Sequence, residues 1–503
     1  MSKKYIYTVI AIIALFSITS CSDFLNVTPR DKKVVKTIED HRDILASYMY
    51  HIKTPDRKQI KIMGIYEWAF PKFDLARTLS FYTGESTINT KISYYFDQKA
   101  QEYNQRGVAT LSWMITEPYV WDQYYQFLGP INMLIKEIAT AEGDDEDLRN
   151  YVQGEAIVWR VYSYFKLLQY YSPYQNDHYG IPMYLDPSDD IGTAKPKRLT
   201  QTQVFEQLLL DCNRVLQLLK ATPTNEWNFA YRADFVHAMM ASIYHWKAMS
   251  GGKADDDWQK AKQYAEKAIG KRDLIQSEAE LKLLFDSRKE VLQTPNANSE
   301  CYIRISDNDG CRVLGFSSAY YPQQGSYTTG VAARKYIEMF KEGDKRKKFY
   351  FLEKDGILLN DKYNLDNIPY YLHVGTLMPF RLAEMILIKA EAECRMGNMQ
   401  EAAQTLNGFK QSRYNHFVPI TGSKDEILKE IIMERKREFY IENDMMWLEM
   451  KRTGERLERE INGEKHVLEA DDYRYAFPIP AEEMKQNKNI EQNPGWENII
   501  QNN

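Results

Sequence analysis

The chain has few cysteines, five in 503 residues, and none of them forms a CxxC pair or a cluster with histidine. That excludes the usual sequence forms of a zinc site or a redox dithiol. Histidine is also scarce: there are eight, no two spaced i,i+4, so no HExxH helix is present. There is no GxSxG elbow, no glycine-rich phosphate loop with its lysine and no dinucleotide fingerprint. Among 70 acidic residues no pair stands out as the two carboxylates of a glycosidase. The sequence therefore predicts no catalytic residue, no metal ligand and no cofactor. A basic excess is missing too, with 65 Lys and Arg against 70 Asp and Glu. This argues against nucleic acid or anionic lipid as the main partner.

No apolar run is long enough to span a bilayer, which takes roughly 20 residues. The longest is mostly apolar from Ile6 to Ile18, follows Lys3 and Lys4, and leads into Ile18-Thr19-Ser20-Cys21. A short run with a basic start reads as a signal peptide. The residues before Cys21 fit the lipobox of bacterial lipoproteins, in which that cysteine is lipidated. The expected organisation is a signal peptide at 1–20, a lipidated tether at 21–35 and one large domain at 36–503. Acyl chains would anchor it at about 0.8 kcal/mol per buried methylene. Of the other cysteines only Cys301 and Cys311 are close in sequence; a bridge and two free thiols both remain open.

Helical periodicity dominates the rest. From Gln153 to Tyr171 the stripe is Ala156, Ile157, Val161, Tyr164, Phe165 and Leu168. From Tyr231 to Met249 it includes Phe235, Met239, Ile243 and Trp246. Gly251-Gly252 then ends the helix, and Asp255 to Asp257 are placed to cap the next, Trp258 to Ile269, with Ala261, Tyr264, Ala265 and Ala268 inward. Pro379 to Met396, a Gly397-Asn398 turn and Gln400 to Ser412 repeat the arrangement. Such pairs suit tetratricopeptide-like units, with an irregular helical bundle as the alternative. Residues 172–200 and 296–332 read as long loops, where a binding surface is expected.

Glu430, Glu434, Glu438 and Glu442 recur every four residues, which a helix would line up in one row. The row suits either a cation site or a structural network with Arg435, Arg437, Arg381 and Glu384. The second is preferred, because like charges at this spacing call for nearby cations.

Several fragments together resemble the SusD/RagB family of nutrient-binding lipoproteins. They are Cys21-Ser22-Asp23-Phe24-Leu25; Gly154-Glu155-Ala156 with Arg160 and Gly180-Ile181-Pro182; Arg381-Leu382-Ala383-Glu384; Glu434-Arg435 through Glu442 to Trp447; and Phe477-Pro478-Ile479-Pro480 with Asn493-Pro494-Gly495. The resemblance implies a mostly α fold, with tetratricopeptide-like helix pairs on one side and a loop-rich ligand face on the other. It implies a lipid-anchored protein of the outer-membrane surface that is not an enzyme. Such a protein captures oligosaccharides for a SusC-like, TonB-dependent transporter. A peptide-binding lid of the RagB kind and a surface glycoside hydrolase are the alternatives. Met446-Trp447-Leu448-Glu449-Met450 departs from the family's Arg-Trp-x-Asp-Leu, so an ion pair there must be rearranged. Gly84-Glu85-Ser86 is a loose match to an early acidic motif.

The chain holds 36 tyrosines and nine tryptophans. Aromatic rings stack on sugar faces and also fill gaps between helices. The resemblance implies ligand aromatics in the early mature chain and the middle loops, which singles out Trp68, Tyr94, Tyr95, Tyr320, Tyr321 and Tyr327. Surface packing is the plainer role for each. Trp113, Trp121, Tyr124 and Tyr125 are expected mainly in the core.

Overall fold

The computed structural model describes residues 35–53, 79–80, 82–87, 113, 119–186, 195–222, 229–286, 300–307, 320–321, 326–327, 331–332, 334–354, 356–363, 375–461 and 464–497. Cys21, Trp68, Tyr94, Tyr95 and Cys311 lie outside them. So do the residues expected to form a signal peptide and most of those expected to form the tether.

Helices dominate, as expected from the periodicity. After α1 (Ile38–Lys53) the chain forms α2 (Tyr119–Glu137), α3 (Glu146–Tyr171), α4 (Gln201–Ala221), α5 (Ala233–Lys247), α6 (Asp257–Ile269) and α7 (Glu278–Phe285). Helix α3 begins seven residues before the apolar stripe, where the Asp145 carboxylate accepts from Leu148 N at 2.9 Å. Asp145 is thus the N-cap, with Glu146 and Asp147 in the first turn. Every residue of α3 from Gly154 to Tyr171 is buried, because α2 and α4 pack on it and α5 closes a further side.

Full burial forces the polar residues of α3 to find partners. The Glu155 carboxylate accepts from Trp159 Nε1 and from the backbone N–H groups of Ala230 and Tyr231, just ahead of α5. Arg160 forks onto Asp211 of α4 at 2.7 and 2.8 Å, and Lys166 reaches Asp444 at 2.8 Å. Gly154 has no room for a side chain, since a Cβ would stand 2.1 Å from the Tyr231 ring.

The two helix pairs are present. Helix α5 packs on α6, and α6 packs on α10 (Leu382–Arg395). Helix α10 packs in turn on α11 (Met399–Arg413) and α12 (Lys424–Glu438). Alanines Ala261, Ala265 and Ala268 of α6 and Ala383, Ala390 and Ala402 of the second pair are buried at the close approaches, while Tyr264 is only half-buried. Gly397, with φ +90°, makes the tight turn between α10 and α11. The turn into α6 differs from expectation. Asp256 is its N-cap without a side-chain cap bond, and Asp257 instead accepts from Lys247 Nζ and Ala254 N. Long insertions separate the pairs, so the units are not consecutive repeats.

The 296–332 region holds short strands as well as loop. They are β2 (Ile305–Asp307), β3 (Tyr320–Tyr321), β4 (Ser326–Tyr327) and β5 (Val331–Ala332). Two helical turns, α8 (Arg334–Ile337) and α9 (Lys347–Tyr350), follow, then β6 (Phe351–Lys354), β7 (Ile357–Asn360) and β8 (Gly375–Leu377). With β1 (Ser86–Thr87) they build an antiparallel sheet in the order β1-β5-β7-β6, while β2 pairs β8 and β3 pairs β4. Runs of two to four residues carry little alternation to read, and the partners of β1 and β2 are distant in sequence. After α13 (Met445–Thr453) and the hairpin β9 (Leu457–Ile461)–β10 (Glu464–Leu468), the tail returns to α3. There Asn493 Nδ2 donates to Tyr171 O and Phe477 O.

Candidate ligand face and the ionic core beneath it

The glutamate row is built on α12, whose start is fixed by a capping box of Ser423 and Glu426. It departs from expectation in one respect. The helix ends at Glu438, and Glu442 lies in the following turn, where Ile441 and Asn443 have φ of 45° and 54°. The row bends inward there, and Glu434, Glu438 and Glu442 meet five basic residues.

Glu434 accepts from Arg346 and Arg437 and from the Tyr414 hydroxyl. Glu438 receives Arg346, Arg381 and Arg413 at 2.9 to 3.0 Å. Glu442 is forked by Arg381 at 2.6 and 2.9 Å and met by Lys362 at 2.9 Å. Glu300 bridges Arg381 and Arg413 from the other side, and Asp344 forks Arg346. All of these side chains are buried. Burial pushes the Glu438 carboxyl up, but the guanidinium groups of Arg413, Arg381 and Arg346 outweigh it and hold it well below the usual range. Each carboxylate is matched by nitrogen donors, so the row is a structural network.

A second network answers the departure at Met446-Trp447-Leu448-Glu449-Met450. Glu449 lies between Arg435 at 3.0 Å and Arg452 at 2.6 Å, and Arg452 also forks Glu391 of α10. Against burial, Arg452 and Arg435 hold the Glu449 carboxyl down to about 2. His245 bonds Glu391 at 2.8 Å, and burial together with Arg452 lowers it to about 4. Trp447 is buried and packs on Tyr82 and Tyr475.

The first network fastens the base of a sheet. Gly84, with φ +77°, turns the chain so that the Glu85 side chain points inward, only 3% exposed. The Glu85 carboxylate accepts from Thr83 Oγ1 at 2.8 Å and from Ile441 N in the turn after α12. Burial pushes this carboxyl up to about 7. Strand β1 follows at once and pairs with β5, Thr87 opposite Val331.

That register has a topological consequence. In an antiparallel pair the chain leaving one strand exits at the end where the other enters. Residues after Thr87 and residues before Val331 therefore leave from one end of the ladder. Tyr94 and Tyr95 follow Thr87 by seven and eight residues, and Tyr327 precedes Val331 by four. At roughly 3.5 Å per residue at most, Tyr327 is tethered within about 15 Å of that end. The backbones of Tyr320 and Tyr321 pair with those of Tyr327 and Ser326.

The aromatics expected in the core are there. Trp113, Trp121 and Tyr124 are buried, and Tyr125 packs against the same cluster. Trp113 Nε1 donates to Tyr82 O at 2.9 Å, and Arg459 lies 4.4 Å from its ring. Reading the sequence did not find Arg346, Arg413, Glu300, Asp344 or Lys362, which carry half of the ionic core. Among the described residues Cys212, Cys301 and Cys394 are free thiols.

Two family models match the chain, one described as the SusD family over residues 350–496 and one as starch-binding associating with outer membrane over residues 23–245. The chain belongs to the SusD-like family. Solved structures agree on the fold. A SusD superfamily protein from Bacteroides thetaiotaomicron is 19% identical with a TM-score of 0.68, covering 91% of this chain and 100% of that one. A SusD-like carbohydrate binding protein from Bacteroides vulgatus is 20% identical with a TM-score of 0.64, covering 90% and 97%. A SusD superfamily protein from Parabacteroides distasonis is 16% identical with a TM-score of 0.65, covering 91% and 98%. Comparison with curated proteins gives no match.

Proposed function

We propose that this protein is a cell-surface glycan-binding lipoprotein, anchored in the outer membrane through Cys21, that captures oligosaccharides and passes them to a SusC-like, TonB-dependent transporter. Bonds in the ligand are not broken. The description of the family matched over residues 23–245, starch-binding associating with outer membrane, supports the ligand class and the location. The name of the Bacteroides vulgatus relative, a carbohydrate binding protein, supports the ligand class too. The observation that supports the reading is the β1–β5 ladder, since Tyr327 precedes β5 by four residues and, in sequence, Tyr94 and Tyr95 follow β1 by seven and eight. Aromatic rings gathered there would stack on sugar faces, with the ionic core as a rigid base.

The test is affinity electrophoresis or calorimetry of the chain from Ser22 onward against plant, host and microbial glycans. We expect at least one polysaccharide to bind, and Tyr321→Ala or Tyr327→Ala to weaken it about tenfold or more. Peptides that bind where no glycan does would overturn the reading in favour of a peptide lid. Turnover of a bound glycan would overturn it in favour of a hydrolase.

A further inference from the structure

Between α3, α5, residues 378–384 and the turn after α12 lies a partly open cavity with about 60 Å³ of space for water-sized atoms. Its lining draws on both of the segments that match the family. Four buried polar atoms of its lining residues have no partner in the protein: the acceptors Gln169 Oε1 and Asn443 Oδ1, and the donors Arg435 Nη1 and Arg452 Nε. Leaving such a group buried without a partner is costly, so an occupant that pairs with it is favoured. Asn443 sits at φ 54°, a conformation asparagine tolerates better than most residues, which lets it occupy this turn.

The chemistry of the occupant follows from two balances. The charged lining is even: Lys166, Arg381, Arg435 and Arg452 face Glu384, Glu442, Asp444 and Glu449. A lone cation or anion would have no net opposite charge to meet. The unpartnered atoms are two donors and two acceptors, so an occupant must both give and receive hydrogen bonds. One water needs on the order of 10–15 Å³, so the cavity has room for a few.

We propose that this cavity is a hydration site, in which a small water cluster bridges Gln169, Arg435, Asn443 and Arg452 and joins α3 to α12, the turn after it and α13. Water also links the Glu384 carboxylate, bonded by Ser242 at 2.9 Å, to the charged groups across the cavity. The proposal does not depend on the ligand of the outer face.

The deciding experiment is a crystal structure of the protein at a resolution that orders solvent, with a second crystal soaked in bromide. We expect about two to four solvent peaks in the cavity, within hydrogen-bond reach of Arg435 Nη1 and Asn443 Oδ1, and no anomalous bromide signal there. In Gln169→Leu the peak beside residue 169 should disappear while those at Arg435 remain. A bromide peak against the two guanidinium groups would overturn the proposal in favour of an anion site. Direct pairing of the four groups across a closed gap would overturn it outright.

Discussion

Around α2 and α3 many buried polar groups are tyrosine hydroxyls that meet backbone carbonyls, beside the charged groups Glu155, Arg160 with Asp211, and Lys166 with Asp444. Tyr125 donates to Pro182 O at 2.7 Å, Tyr174 to Trp246 O at 2.7 Å and Tyr164 to Tyr184 O at 3.0 Å. Burial raises the pKa of all three phenols, so they stay neutral. Around α12 the buried polar groups are carboxylates and guanidinium groups. Two solutions to one problem share a single fold. Neutral bonds cost little to bury and are individually weak, whereas buried charges hold only as a complete set. The aromatic half should therefore give way gradually when groups are removed, and the ionic half all at once.

The sharpest break should come from Glu438→Ala. It removes the carboxylate shared by Arg346, Arg381 and Arg413, and three buried cations lose a counter-charge together. The expected loss is about 3–5 kcal/mol, seen as a lower midpoint at unchanged m in urea unfolding. A loss under about 1 kcal/mol would mean that Glu300, Glu434 and Glu442 suffice without it.

Acidity probes the same contrast with a sign that differs between groups. Glu438 and Glu449 titrate below the usual carboxylate value in the fold, so their contribution is complete above about 4.5 and is lost as pH falls through the folded values. Glu85 behaves in the opposite way. Its carboxyl is raised from 4.5 to about 7, so the folded chain takes up a proton first and stability rises as pH falls from above 7 toward 4.5. Lys335 and Lys362 lower this carboxyl but do not offset its burial, and Tyr336, Tyr363 and Tyr440 surround it. Lys362, lowered to about 8, titrates above this window. His245, lowered from 6.5 to about 4, works the other way, since the unfolded chain takes up its proton first as pH falls below 6.5. Calorimetric Tm should therefore climb from pH 7.5 to about 6.5, level off, and fall below about 4.5. Glu85→Gln should flatten the first slope, on the order of 3 kcal/mol at most, and keep the second. An unchanged slope in that variant would remove Glu85 from the account.

The two halves also differed in how far they could be read from sequence. Helices α3, α5, α6, α10 and α11 announce themselves because their apolar stripes and the Gly397 turn are local. The glutamate spacing on α12 was equally visible, and it suggested a structural network. Its partners were not visible, because Arg346 lies 88 residues from Glu434 and Arg381 lies 61 from Glu442. The end of α12 before Glu442 was missed because positive φ at Ile441 and Asn443 leaves no apolar signature. Strand β1 was missed for a related reason: two residues are too few to alternate, and Val331 and Ala332 lie more than 240 positions away. The ligand face stays the least legible part, since stacking rings need a three-dimensional arrangement that spacing does not encode.

The smallest expected effect sharpens the contrast most. Tyr164 of α3 donates to Tyr184 O and accepts from Tyr184 N at 2.9 Å, fixing the loop after α3. In Tyr164→Phe the Tyr184 carbonyl keeps its second donor, Asn132 Nδ2, and the Tyr184 N–H group loses the hydroxyl. The loss should be about 1–2 kcal/mol, as for one neutral hydrogen bond, and the same at pH 5 and pH 7.5. Urea unfolding at both pH values measures it. A loss as large as that of Glu438→Ala, or one that changes with pH, would show that the aromatic half is tied to the charges after all. The route would be Tyr170, whose hydroxyl shares Asp444 with Lys166. A small, pH-independent loss would leave the neutral bonds of α3 acting one at a time, beside a network that acts as a unit.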